Sequence, residues 1–165
     1  MSKILVIDDE PGIRTVLSDI IRDENHQVLT AGDGFEGLTI LKEKSVDLVI
    51  LDVWLPNMGG IDVLKEIKKE YPDIEVIMIS GHANIDIAVK AVKLGAFDFL
   101  EKPLSLDKII NLIKNALKLE ELKKENANLK SSIFMEDRMI GSSKNMEAIW
   151  SRIMQSAPTN AKILI

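Results

Sequence analysis

Short runs of apolar residues alternate with helical patterns along the chain up to about residue 117. The runs lie at residues 4–7, around 27–30, at 48–51, at 76–79 and around 97–100. Several of them are apolar at consecutive positions instead of alternating with polar residues, which is typical of parallel strands covered on both faces. The pattern therefore predicts five buried strands.

The segments between these runs have the apolar spacing of amphipathic helices. In the first segment the apolar side chains recur at i, i+3, i+4, i+7 and i+8, one face of a helix: Ile13, Val16, Leu17, Ile20 and Ile21. Pro11 suits the first turn of this helix, and Asp33 with Glu36 forms a capping-box-like pair at the start of the second. Further helices are predicted over residues 61–69 and 84–93, and from 105 onward.

This alternation defines the fold class. Five strand–helix units form a (βα)5 pattern, and strand–helix–strand connections prefer right-handed crossovers. We therefore predict an α/β fold, a doubly wound five-stranded parallel sheet of flavodoxin-like type with helices on both faces, followed by a helical linker.

The composition changes beyond Ala116. Residues 118–130 are dominated by Lys, Glu, Asn and Leu and contain no Gly or Pro. A 3-4 spacing typical of a coiled-coil seam connects Leu112, Asn115, Leu119, Leu122, Asn126, Leu129 and Ile133. We interpret this stretch as a dimerising linker helix, with a solvated helix carrying a few leucines as the alternative.

Three regions follow from these patterns: a domain over residues 1–117, the helical linker over 118–135 and a third region over 136–165. Gly141 interrupts the linker pattern, residues 143–156 have a helical pattern again, and residues 161–165 have a strand pattern. We expect the natural protein to continue beyond this strand.

Composition and charge exclude several classes of function. The 165 residues include no cysteine, so disulfides and thiolate metal sites are excluded and a reducing compartment fits. No apolar stretch reaches the roughly 18 residues that span a bilayer, and the first apolar run is too short for a signal peptide; we expect a cytoplasmic protein without membrane contact. The net charge of −5 argues against direct nucleic-acid binding by this chain.

Polar side chains follow four of the predicted strands. The first strand is followed by Asp8 and Asp9, the third by Asp52, the fourth by Ser80 and the fifth by Lys102. Ligands of open α/β sheets bind outside the carboxyl ends of the strands. In a flavodoxin-like strand order, these side chains meet in one pocket.

Such a pocket favours a cation and phosphoryl chemistry. Two like charges about 4 Å apart repel by roughly 4 kcal/mol at an effective dielectric constant near 20, so clustered carboxylates shift their pKa values or bind a metal. Oxygen ligands without Cys or His indicate Mg²⁺. Asp52 is then the candidate nucleophile for phosphorus, Lys102 the cation for transition-state charge, and Ser80 a donor to the phosphoryl oxygen.

Four sequence stretches resemble the signature of the response regulator receiver family. They are residues 7–10 (IDDE), 51–60 (LDVWLPNMGG), 79–81 (ISG) and 99–103 (FLEKP), and the resemblance covers about residues 1–120. The resemblance implies that Asp52 accepts a phosphoryl group from a sensor histidine kinase. It also implies that Asp9 and Asp52 bind Mg²⁺ directly, Asp8 mostly through water, and Trp54 through its backbone carbonyl.

The resemblance further implies how the domain switches. Ser80 stands at the position of the family's Thr or Ser, and Phe99 at its switch aromatic, here without a hydroxyl. The peptide bond before Pro103 is usually cis in this family. The chain is then a regulatory phosphoacceptor that catalyses its own phosphorylation and dephosphorylation, and not an enzyme with a separate substrate.

Residues 139–146 (MIGSSKNM) and 157–165 (APTNAKILI) resemble the start of the AAA+ domain of NtrC-type activators of sigma-54 RNA polymerase. In that family the next residues form the Walker A loop, which this chain does not include. The resemblance implies a homodimer in which phosphorylation rearranges the dimer and controls an AAA+ domain. Sigma-54 RNA polymerase and DNA are then partners of domains outside this chain.

Three different functions compete with this interpretation. Residues 32–37 (GDGFEG) match the dinucleotide motif G-x-G-x-x-G, and Asp52 lies at the distance of a ribose-binding acid. That hypothesis gives no role to Asp8 or Lys102, and flexible glycines at a helix start explain the motif as well. A metal-dependent phosphatase or hydrolase is the second competing function, and a dimerising scaffold with a degenerate pocket is the third.

Overall fold

The computed structural model describes the backbone of residues 1–81 and 85–136, and the side chains of these residues up to 123. Five strands alternate with five helices along this part of the chain. In chain order they are β1 (Lys3–Ile7), α1 (Pro11–Asp23), β2 (Gln27–Ala31), α2 (Gly34–Glu43), β3 (Leu48–Asp52), α3 (Gly60–Glu70), β4 (Glu75–Ser80), α4 (Ile85–Lys93), β5 (Asp98–Glu101) and α5 (Leu106–Glu136).

The strands form one parallel sheet in the order β2-β1-β3-β4-β5. Every residue of β3 and β4 is buried, which is why these strands read as continuous apolar runs. The predicted doubly wound parallel α/β fold is confirmed.

Two apolar clusters cover the two faces of the sheet. Leu5, Ile7, Val49, Leu51 and Met78 point to the face on which α2, α3 and α4 pack. The intervening strand residues point to the other face, where α1 and α5 contribute buried side chains: Leu17, Ile20, Ile21, Ile109, Ile113 and Ala116. Successive side chains of each strand point to opposite faces of the sheet, so the same apolar run contributes to both cores.

Local signals place the starts of two helices. Pro11 is the first residue of α1, where its missing N–H costs no hydrogen bond. Asp33 caps α2 and accepts a hydrogen bond from the Glu36 N–H at 2.9 Å, as the sequence predicted. The Glu36 carboxylate reaches one residue further back than in a standard capping box and accepts from the Gly32 N–H at 2.7 Å.

The start of α3 approaches β3 closely. The Gly60 N–H donates to the Val53 carbonyl at 2.9 Å. A Cβ atom on Gly60 would lie 1.9 Å from the backbone oxygen of Asp52, whereas one on Gly59 would meet nothing within 4 Å. Glycine at position 60 therefore lets the helix pack against the strand that carries Asp52.

The linker prediction is only partly within the described residues. The helix predicted from Ser105 onward corresponds to α5, which is continuous to Glu136. Leu119 and Leu122 are exposed, whereas Leu112 packs partly against the core. The side chains of Asn126 and Leu129, and all of residues 137–165, lie outside the described part of the chain, as does Asn84 at the predicted start of α4. The dimerising seam and the third region therefore stay predictions.

Candidate functional site

Four polar side chains lie at the carboxyl ends of neighbouring strands. Asp52 and Ser80 are the last residues of β3 and β4, Asp8 directly follows β1, and Lys102 directly follows β5. Chain order reverses between β1 and β3, the place where open α/β sheets bind ligands. Asp52 and Lys102 contribute to the lining of an open cavity of about 590 Å³ at this edge.

The Lys102 ammonium group joins three carboxylates. Its Nζ lies 2.7 Å from Asp52 Oδ2, 2.9 Å from Asp8 Oδ2 and 2.9 Å from Glu10 Oε1. The lysine side chain is 10% exposed and that of Asp52 is 4% exposed, so the charges interact in a largely dehydrated environment. Burial alone would lower the pKa of Lys102, but its contacts with the carboxylates of Asp52, Asp8 and Glu10 outweigh burial and raise this pKa.

A tight turn after β1 orients the first acidic residues. Asp8 Oδ1 accepts a hydrogen bond from the Glu10 N–H at 2.8 Å, an Asx-type turn that brings the Glu10 side chain back toward the pocket. Arg14 Nη1 donates to the Asp8 backbone oxygen at 2.6 Å and holds the turn from the α1 side. Burial raises the pKa of Asp8; contacts with Lys102 and the Glu10 N–H oppose this, and repulsion from Asp52 adds to it.

These residues fit a divalent cation. Carboxylate oxygens of Asp8, Glu10 and Asp52 lie within 4.8 Å of one another, close enough to share one ion. Asp8 Oδ2 is fully buried and accepts no well-aligned hydrogen bond within the described residues, although it lies 2.9 Å from Lys102 Nζ. A buried carboxylate oxygen in this state is a ready ligand, and an all-oxygen set suits Mg²⁺.

Asp9 and Trp54 line the same cavity. Asp9 is exposed and lies outside the group of three close carboxylates, so its direct contact with the metal stays a prediction. The Trp54 N–H donates to Asp52 Oδ1 at 3.1 Å, and its side chain is 56% exposed. The metal contact predicted for the Trp54 carbonyl likewise stays a prediction.

The two predicted switch residues lie beside the pocket. Ser80 is fully buried, its backbone oxygen accepts from the Lys102 N–H at 2.8 Å, and the following residue, Gly81, lines the cavity. Phe99 is partly buried and packs against the apolar cluster on the α4 side of the sheet. The Lys102–Pro103 peptide bond is cis.

The glycines of the dinucleotide-like motif serve packing. A Cβ on Gly34 would lie 2.5 Å from Val63, and one on Gly37 would lie 2.4 Å from Ile7, so both glycines let α2 approach its neighbours. The Gly32 N–H, which a phosphate would need, already donates to the Glu36 carboxylate. The motif therefore marks close contacts of α2 and not a cofactor site.

Sequence reasoning placed Asp8, Asp52 and Lys102 at one sheet edge but did not give Glu10 a place in the site. The available signal was the order Asp8, Asp9, Glu10, because an Asx turn at Asp8 directs the side chain two residues later toward the pocket.

Comparison with known proteins identifies the family of the chain. The family model described as the response regulator receiver domain matches residues 4–114. An NtrX-like response regulator of Rickettsia bellii is 40% identical over 164 residues, which is 98% of this chain and 34% of that protein. The chain thus spans about a third of the length of this relative.

Two solved structures resemble the chain, one over almost its whole length and one over its receiver part. NtrX of Brucella abortus is 39% identical with a TM-score of 0.76, over 98% of this chain and 36% of that one. The receiver domain of NtrC4, solved in solution as a beryllofluoride-activated dimer, is 40% identical with a TM-score of 0.70, over 73% of this chain and 99% of that one.

Proposed function

We propose that this chain, which belongs to the family of response regulator receiver domains, accepts a phosphoryl group on Asp52 from the phosphohistidine of a sensor histidine kinase. The observation that carries the proposal is the position of Asp52. Its side chain ends β3 at an open cavity, is 4% exposed and lies 2.7 Å from the Lys102 ammonium group. From this position, the carboxylate can reach a phosphorus atom that enters the cavity, and the Lys102 cation lies beside it.

The transfer is a displacement at phosphorus. An Asp52 oxygen forms the new O–P bond while the P–N bond to the kinase imidazole breaks, and the electron pair goes to the imidazole nitrogen, which takes a proton from solvent. The Trp54 N–H holds Asp52 Oδ1 during the approach. Lys102 leaves Asp52 Oδ2 for a phosphoryl oxygen and neutralises charge that spreads over the equatorial oxygens.

The carboxylates of Asp8, Glu10 and Asp52 would hold Mg²⁺, with Asp9 and the Trp54 carbonyl as further ligands. A bound Mg²⁺ supplies positive charge at the phosphoryl oxygens. Asp8 contributes buried negative charge that favours a cation: its pKa is raised by burial, so the ionised form is costly without one.

The output is a shift between two conformations. An aspartyl phosphate carries about −1.5 to −2 charges by analogy with other phosphorylated side chains. Charge-assisted hydrogen bonds to Ser80 and Lys102 contribute about 1.5–3 kcal/mol each, near the roughly 5.5 kcal/mol that turns a 1:99 equilibrium into 99:1. Ser80 then moves toward the phosphoryl group, and Phe99 rotates further inward behind it.

The effector of this switch lies outside the domain. Relatives of NtrX type are about three times as long as this chain, which supports the proposal of a sigma-54 activator with an AAA+ domain and DNA-binding part downstream. The dimeric NtrC4 receiver domain supports a homodimer, with the linker seam of Leu112, Leu119, Leu122, Asn126 and Leu129 as the rearranging contact. Its place of action is the cytoplasm, where its kinase would present phosphohistidine. Among the described helices, none has the length and apolar character needed to cross a membrane.

Intact-protein mass after incubation with acetyl phosphate and Mg²⁺ tests the phosphoryl transfer. We expect one phosphoryl adduct on the wild type and on Asp62→Asn, a matched control at an exposed position of α3, and none on Asp52→Asn. EDTA should abolish the adduct. An adduct on Asp52→Asn, or none on any variant with either acetyl phosphate or a phosphorylated histidine kinase, would contradict the proposal.

A further inference from the structure

A second buried carboxylate lies at the other end of the sheet. Glu75 is the first residue of β4, whereas Ser80 at the phosphoryl site is the last, and the Glu75 side chain is 4% exposed. Charged side chains are rarely buried to this extent unless they are paired. The proposed phosphoryl transfer does not use Glu75, so its burial needs a separate explanation.

Two lysines from different helices meet this carboxylate. Lys123 of α5 donates a short hydrogen bond to Glu75 Oε1, and Lys68 of α3 lies 3.6 Å from Oε2. Lys68 Nζ also donates to the Ile74 backbone oxygen at 2.7 Å, and burial lowers the pKa of this lysine. We call Lys68, Glu75 and Lys123 the basal cluster.

The basal cluster extends the contact of α5 with the domain. Ile109, Ile113 and Ala116 form the buried stripe of α5, and Lys123 lies on the same side of the helix, about two turns beyond Ala116. The apolar stripe does not continue to this position, since Lys123 replaces it with a charge. In the stretch of α5 between Ala116 and Lys123, Leu117 packs partly against the core, whereas Leu119 and Leu122 are exposed. The pair of Lys123 with Glu75 adds a charged contact at the end of this stretch.

The cluster also lies near the turn that precedes β5. Three side-chain carbons of Lys68 lie 3.5 Å from where a Cβ on Gly95 would stand, and Gly95 connects α4 to β5. Strand β5 carries Phe99 and is followed by Lys102. The basal cluster thus contacts α5 through Lys123 and lies near the segment that leads to two residues of the proposed switch.

We propose that Glu75 is a positioning residue that anchors α5 to the amino end of β4 as far as Lys123, and that phosphorylation alters this anchor. The anchor is independent of the proposed function, whereas its response to phosphorylation rests on it. Leu122 lies roughly 100° around the helix from Lys123 and is exposed. Anchoring through Lys123 thus leaves Leu122 of the predicted seam exposed.

Hydrogen exchange in the full chain tests the anchor without phosphorylation. We compare wild type, Glu75→Gln, Lys123→Met, the double variant and Lys118→Met. Lys118 is the matched control because it is an exposed lysine of α5 and forms no ion pair within the described residues.

We expect amides of residues 117–123 to exchange about threefold to tenfold faster in Lys123→Met and Glu75→Gln, because local opening loses a stabilising contact. Lys118→Met should stay within about twofold of wild type. Exchange in the double variant should be as fast as in the faster single variant, since both substitutions remove the same Glu75–Lys123 interaction. Equal exchange rates in Lys123→Met and Lys118→Met, or additive effects in the double variant, would overturn the proposed anchor. The comparison of Lys123→Met with Lys118→Met is sufficient even if Glu75→Gln folds poorly.

The second arm repeats the exchange after acetyl phosphate, with the adduct verified by mass in the same samples. We expect phosphorylation to change exchange over residues 117–123 in the wild type and not in Lys123→Met, although both carry the adduct. An unchanged wild type with full adduct, or a variant that responds like wild type, would refute the response to phosphorylation. Absence of the adduct would count against the proposed function, and the anchor would then be tested by the exchange measurements without phosphorylation alone.

Discussion

Adding one methyl group at Gly60 should damage the protein far more than adding it at the neighbouring Gly59. A Cβ on Gly60 would lie 1.9 Å from the Asp52 backbone oxygen and 2.9 Å from two further backbone atoms of β3 and its continuation. Because an ordinary C···O contact is about 3.3 Å or more, the start of α3 would have to move by roughly 1.4 Å. A Cβ on Gly59 would meet nothing within 4 Å.

The cost can be estimated from these contacts. Overpacking that shifts backbone costs about 1–3 kcal/mol or more, and loss of the Gly60–Val53 hydrogen bond adds about 0.5–1.5 kcal/mol. We therefore expect Gly60→Ala to lower the free energy of unfolding by about 3 kcal/mol. At Gly59, alanine is a poorer helix cap than glycine, but it restricts the unfolded chain by about 0.4–1 kcal/mol. These effects oppose each other, so Gly59→Ala should stay within about 1 kcal/mol of wild type.

Urea denaturation followed by circular dichroism measures both variants, and the melting temperature of Gly60→Ala should fall by about 10 °C. The displaced oxygen belongs to Asp52, so phosphoryl adduct formation should also slow in Gly60→Ala at a temperature where both variants are folded. If the two variants were equally stable, the close approach of α3 to β3 would not constrain the fold and the reasoning would be refuted.

Two further perturbations address charge. Lys102→Met removes the ammonium group from the buried Asp8 and Asp52 and should lower the free energy of unfolding by roughly 3–5 kcal/mol, part of which added Mg²⁺ should restore. The exposed Lys108→Met should stay within about 0.5 kcal/mol of wild type. Urea midpoints with and without MgCl₂ measure this; equal loss in both variants would contradict the role of the ion pairs. Burial lowers the pKa of His26 below 6.5, so the native state binds fewer protons than the unfolded state just below pH 6.5, and stability there rises with pH. We expect His26→Gln to flatten that rise below about pH 6.5 and to change little above it, where His26 is deprotonated in both states; a slope identical to wild type would show that His26 does not cause it.

The sequence predicted the sheet because burial controls its pattern. Strands β3 and β4 are buried at every residue, so their apolar runs are unbroken and their ends are marked by Asp52 and Ser80. Helix starts were predicted where a side chain or ring acts locally, as at Pro11 and Asp33. Such signals lie within a few residues of the structure they determine.

Two features of the structure were missed, one local and one that depends on a distant contact. Glu10 enters the pocket because the backbone turns after Asp8, a local signal that follows from the order of the acids and that the sequence reasoning did not use. Glu75 and Lys123 are 48 positions apart, in a chain in which lysine and glutamate are abundant. Nothing in the sequence distinguishes this pair from the many exposed pairs, because only the fold makes Glu75 buried.

Charge balance at the site connects the structure to the switch. One ammonium group, Lys102, faces the carboxylates of Asp8, Glu10 and Asp52, and it contacts all three at once. Phosphorylation would replace the Asp52 charge with about −1.5 to −2 charges on three oxygens, so the same lysine cannot keep its three contacts and also bind the phosphoryl group. The lysine must release carboxylates that a divalent cation can then neutralise, and further donors such as Ser80 must come from the neighbouring strand. Under the proposed function, the number of charges in the pocket would therefore favour a rearrangement at the ends of β4 and β5, before any property of the downstream helix is considered.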